Sequence, residues 1–174
     1  MTQNILERFS GAEILKQTPA TLQAMLSGTS AEQRDWQPNP ERWSVSMVMA
    51  HLADIEANAF GKRFRAMADS EMPALPKYDQ QGLFQRGTRF DGMQELGLFQ
   101  ERRRETLAWL KTQPASVADR GGVHGELGPI TFGQLLHEFA FHDLGHIRQI
   151  AELLRTRVFY PEIGAFQKYF TVSP

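Results

Sequence analysis

Between residues 131 and 155, Leu135, Phe139, His142, His146, Gln149 and Leu153 recur at intervals of 4, 3, 4, 3 and 4. That is the stripe a helix turns toward the centre of a bundle, and here it carries two histidines one turn apart. The pattern limits the chain to folds in which this helix is packed along its length against others. It also raises a problem of burial. An imidazole facing an apolar core needs partners for its ring nitrogens, because an unsatisfied buried polar group costs about 1–3 kcal/mol. One such group is tolerable. Two in successive turns ask for a shared partner.

Three further segments show helical periodicity. The first covers 2–26, with Ile5, Phe9, Ile14, Leu15 and Leu22 as apolar positions. The second opens at Ser44, a candidate N-cap, with Trp43 before it spaced to pack on Val48 as a hydrophobic staple. The third opens at Asp91 and stops before Pro114, and the fourth begins at Thr131, where Gln134 completes capping-box spacing. No segment alternates as a half-buried strand does. The connections over 27–43, 70–90 and 114–130 exceed a tight helix–helix turn of about 2–8 residues, so they allow crossovers and loops that cover one end of a bundle. The expected fold is therefore all-α, a four-helix bundle with long crossover connections, as one domain over residues 1–174. The aromatic stretch "VFYPEIGAFQKYF" that follows is expected to pack on the bundle or on a second subunit.

Composition removes several classes of function. The chain has no cysteine, so disulfides, thiolate ligands and a cysteine nucleophile are excluded. A net charge of -1 gives no broad basic footprint for nucleic acid. The cluster Arg102, Arg103 and Arg104 is flanked by Glu101 and Glu105 and reads as a solvated helix face. The N-terminal segment lacks the apolar stretch of a signal peptide, and no run reaches the length of a membrane span. A soluble, cytoplasmic protein acting on a small-molecule substrate, with neither nucleic acid nor membrane as partner, is the expectation.

A third histidine joins the pair. Ser44, Val48, His51, Ile55 and Asn58 fall along one stripe of the second helix, which turns His51 inward as well. Three neutral imidazoles meeting at one point suit zinc, nickel or ferrous iron, and not magnesium or calcium, which prefer oxygen ligands. The alternative on spacing alone is that these histidines are satisfied core residues. His137 lies five residues before His142, about 140° around the helix, and cannot share its face. His124 sits in a glycine-rich turn. The Glu-x-x-His motifs of a carboxylate-bridged di-iron bundle are missing. Asp54, one turn beyond His51, and Asp143, beside His142, are placed to accept a ligand ring N–H. Asp54 and Glu56 are the candidate general bases.

The segments "RWSVSMVMAHLADIE" and "GPITFGQLLHEFAFHDLGHIRQI" resemble the DinB-like superfamily, whose members include bacillithiol transferases and YfiT-like metal-dependent hydrolases. The resemblance covers about residues 2–155. It implies a four-helix bundle of crossover topology, commonly a homodimer, and three metal-ligating histidines that map onto His51, His142 and His146. For chemistry it implies a divalent metal that activates either water or a low-molecular-weight thiol against a small electrophile. Any such thiol comes from outside, since the chain has none. The alternative is a non-catalytic metal-binding or structural dimer. An enzyme leaves a coordination position open, whereas a structural site is closed by a fourth protein ligand, for which His124 and Asp54 are the candidates.

Overall fold

Three of the four long helices begin where a short polar side chain closes the first turn. The computed structural model describes residues 3–85, 87 and 89–174. Its helices are α1 (Ile5–Arg8), α2 (Ala12–Leu26), α3 (Ala31–Asp35), α4 (Val45–Ile55), α5 (Gly61–Asp69), α6 (Gln80–Gln85), α7 (Gly92–Lys111) and α8 (Phe132–Leu154). Ser44 accepts the Met47 N–H at the start of α4, and Asp91 accepts the Met93 and Gln94 N–H groups at the start of α7. Thr131 and Gln134 form a reciprocal capping box on α8. All three starts are those expected from the sequence.

The expected helix over 2–26 is instead two. Its first residue, Thr2, lies outside the described residues. Phe9 takes an extended conformation after α1, and a Cβ on Gly11 would stand 2.4 Å from the Phe9 ring, so the ring folds back into space that only glycine leaves. The second segment runs on from α4 through a π turn at Glu56–Phe60 into α5. A small sheet also corrects the expectation of no strands. β2 (Gly121–His124) and β3 (Gly128–Thr131) pair antiparallel, and β1 (Ala74–Leu75) adds to β2 in parallel, with Leu75 opposite His124. These strands are too short and too rich in glycine to show alternation. Among the described residues no helix is long and apolar enough to cross a membrane.

α4 packs on α7, α2 on α8 and α7, and α4 on α8. Consecutive bundle helices, α2 with α4 and α7 with α8, therefore lie diagonally across from each other, and the long links make the crossovers. Two apolar clusters fill the interior. One gathers Leu15, Phe60, Phe64, Phe132 and Phe139, the other Leu22, Val48, Leu52, Phe99 and Ile150.

Between the clusters sits Arg103, only 1% exposed, which corrects its reading as part of a solvated face. Its guanidinium lies over the Phe139 ring of one cluster at 4.3 Å and the Phe99 ring of the other at 4.8 Å. Nε and Nη2 donate to Glu56 at 2.9–3.1 Å. Nη1 and Nη2 donate to Asp143 at 2.6 and 2.9 Å. The remaining Nη1 hydrogen goes to the Leu15 carbonyl at 3.0 Å. That carbonyl is vacant for a local reason: four residues on stands Pro19, inside α2 and without an N–H to return. One side chain on α7 thus ties α2, the π turn and α8 together, with all five donors used. Burial alone would lower the Arg103 pKa, but the two carboxylates more than reverse that and keep it charged.

Not every position on these helices is so constrained. At Gly97 of α7 nothing lies within 4 Å of an added Cβ. Gly97→Ala is expected to raise stability by about 0.5–1 kcal/mol, read as a higher urea midpoint. An unchanged or lower midpoint would contradict it.

Candidate metal centre

α4 and α8 bring three imidazoles to one point. His51, buried at 3% exposure, follows a stretch of α4, Val45–Ala50, that is buried on every side. His142 and His146 project from successive turns of α8. His51 Nε2 lies 3.2 Å from His142 Nε2, which lies 3.2 Å from His146 Nε2. All three ligand atoms fall within 4.8 Å of one another. Among the described residues this is the one cluster of three or more histidine, aspartate or glutamate groups that could hold a metal.

The donor chemistry can be read from the partners. His146 Nδ1–H donates to Gln149 Oε1 at 2.9 Å, which leaves Nε2 as a lone pair. Gln149, one turn along the same seam, therefore sets the tautomer of His146. His142 Nε2 faces both of the other rings. A single proton on His142 Nε2 can serve only one of the two 3.2 Å approaches, so the other neighbouring lone pair is left without a donor. His51 Nδ1 and His142 Nδ1 are buried without a partner. An apolar seam holds such a constellation poorly on its own. A cation at the centre of the three nitrogens turns the facing lone pairs into ligands, and the residues present fit a divalent metal.

Burial, aided by the charge of His146, lowers the pKa of both His51 and His142 to about 3. His146 is lowered as well, chiefly by burial and against its bond to Gln149. An unfolded histidine titrates near 6.5. Between about 6.5 and 3 the unfolded chain binds more protons than the folded one, so stability is complete above about 6.5 and lost as pH falls. The slope is on the order of 1.4 kcal/mol per pH unit for each histidine. For metal-free protein, the urea midpoint should drop clearly between pH 7 and pH 5; equal midpoints would contradict neutral burial.

The surroundings sort the remaining candidates. Asp54 accepts from Tyr78 Oη at 2.8 Å and Asn58 Nδ2 at 2.9 Å. Asp143 is bound to Arg103. Neither accepts a ring N–H from His51 or His142, contrary to expectation, because both Nδ1 atoms lack a partner. Glu56 is 1% exposed with both oxygens bound by Arg103, a position that leaves it no route to a substrate proton. His124 lies in β2, lines a different cleft with Arg63 and Lys77, and accepts the Glu126 N–H through Nδ1. His137 packs edge-on against Phe9 and donates to the Gly133 carbonyl. No fourth protein ligand joins the cluster among the described residues.

Two features escaped the sequence reading. Trp43 stands with its ring centroid 5.1 Å from His51 and 6.4 Å from His146, parallel to the latter within 4°, and walls one side of the cluster. Its place before an N-cap signalled only a staple, and the ring does join the apolar cluster that contains Val48. The second is a cleft of about 770 Å³ that opens over His142 and His146 along α8.

Comparison with known proteins agrees with this arrangement. Residues 14–150 match the DinB superfamily. YfiT of Bacillus subtilis (strain 168) is 29% identical over 146 residues, spanning 82% of each chain. A solved structure of the B. subtilis protein, described as "a probable metal-dependent hydrolase with an unusual four-helix bundle topology", superposes with a TM-score of 0.75 at 28% identity, covering 83% of both chains.

Proposed function

This chain belongs to the DinB superfamily, and from that membership and its histidine cluster we propose a hydrolase that binds one divalent transition metal through His51, His142 and His146. The observation that carries the reading is the convergence of three imidazole nitrogens, two with unpartnered far sides, beside an open cleft. The description of the YfiT structure supports the choice of water over a thiol as the activated group. A divalent metal held by three imidazoles supplies Lewis acidity that lowers the pKa of bound water toward about 7.

The chain's own groups supply the rest. Gln149 holds His146 in the tautomer that offers Nε2. Trp43 and Phe60 pack on the rings of the cluster and keep bulk water off their faces. Asp54 is the carboxylate this reading assigns to receiving a proton. It follows His51 by three residues and is oriented by Tyr78 and Asn58.

Elemental analysis of untagged protein, followed by ester and amide hydrolysis assays on the metal-loaded form, tests the proposal. About one zinc, nickel or iron per chain, with hydrolysis that stops on chelation and resumes on reloading, is expected. Asp54→Asn should slow turnover while keeping the metal. Protein that takes up no divalent ion would end the proposal, and metal uptake with turnover only in the presence of an added thiol would replace water by thiolate as nucleophile.

A further inference from the structure

The cleft over the histidines carries a charge pattern that the metal site alone does not require. Along its lining stand three arginines, Arg42, Arg148 and Arg155, and two acids, Glu138 and Glu152. Arg155 pairs with Glu152, whose other oxygen accepts the Ser173 N–H. Glu138, at the opposite end of the α8 stretch that lines the cleft, is offset by Arg63. Arg42 and Arg148 remain, each exposed and with no side-chain hydrogen bond or ion pair among the described residues. Gly145 lines the cleft, and nothing stands within 4 Å of an added Cβ there.

We propose that this cleft selects an anionic substrate, with Arg42 and Arg148 holding a carboxylate or phosphate group while the reacting centre sits at the three histidines. The inference rests on the metal-site reading above. Guanidinium groups suit the task because they stay charged and present planar pairs of donors to an oxyanion. A second positive centre lining the same cleft as the histidines rewards a molecule with two anionic or polar ends over one with a single end. Uncompensated arginines at the mouth also draw anions inward before any contact forms.

Binding to the cobalt(II)-loaded protein tests this without turnover, through the visible absorption of the bound ion. Three probes share one short chain: propionate, succinate and 3-phosphonopropionate. The two-headed anions should bind about tenfold tighter than propionate, and the tighter of the two identifies the oxyanion the arginines prefer. In the double variant Arg42→Gln, Arg148→Gln that advantage should shrink to about twofold, with propionate affinity unchanged. Equal affinities in the parent, or an advantage that survives in the double variant, would overturn the inference while leaving the metal site intact. Failure of the parent to develop a cobalt spectrum would overturn both.

Discussion

Arg103→Ala is expected to destabilise the protein by about 3–5 kcal/mol, since it strands the carboxylates of Glu56 and Asp143 in the interior. Domains of this size are stable by about 5–15 kcal/mol, so the variant should unfold at a much lower denaturant concentration or fail to fold at all. The cost has three sources: two uncompensated acids, an unpaired Leu15 carbonyl, and lost packing on Phe99 and Phe139. Arg103→Lys should recover little, because an ammonium cannot reach both acids and the carbonyl in one plane. Replacing all three charged groups by apolar residues of similar volume should recover most of the loss, which distinguishes a requirement for pairing from a requirement for charge. Urea unfolding at pH 7 is the measurement. A shift below about 1 kcal/mol for Arg103→Ala would mean that water enters and solvates the acids.

The second large effect concerns the histidines, and it changes sign with metal. With a divalent ion at a thousand times its dissociation constant, the parent should gain about 4 kcal/mol of stability from binding. His51→Ala and His142→Ala should abolish that gain, each losing one of three ligands. Without metal the expectation reverses for His142→Leu. That change removes an orphaned Nδ1 and one of the facing lone pairs beside Phe60, so the metal-free variant should exceed the metal-free parent by about 1 kcal/mol, and by more at pH 5. Thermal unfolding with chelator and with zinc, for parent and variants, gives all the comparisons. A parent whose midpoint ignores zinc, or a metal-free His142→Leu that is less stable than the parent, would contradict this account.

Much of this architecture was legible in the residues because it rests on local rules. The caps at Ser44, Asp91 and Thr131 are short-range hydrogen bonds, and the inward turn of His51, His142 and His146 follows from helical period alone. What stayed hidden depends on distant partners. Arg103 looks like its neighbours Arg102 and Arg104 until Glu56 and Asp143, 47 and 40 residues away, are placed against it. Pro19 carried a usable signal, since a proline in an apolar-periodic segment frees the carbonyl four residues back and something must answer it. The π turn and the two-residue strand β1 left no comparable trace. Their backbone conformations are set by packing, not by any residue pattern. Glu56 had a local signal against it: five residues beyond His51 it stands about 140° around the helix, where it meets Arg103 instead of the histidines.

The diagonal placement of consecutive helices bears on how a ribosome can deliver this protein. Arg103 emerges after Leu15 and Glu56, but its third partner, Asp143, is still to be synthesised. Neither α2 with α4 nor α7 with α8 can dock as a finished hairpin and wait, and the pairing of α4 with α7 still leaves the face that α8 covers open. Early segments therefore hold half-covered apolar faces until α8 clears the exit tunnel. Assembly follows synthesis, and the nascent chain is the stage at which chaperones have most to protect.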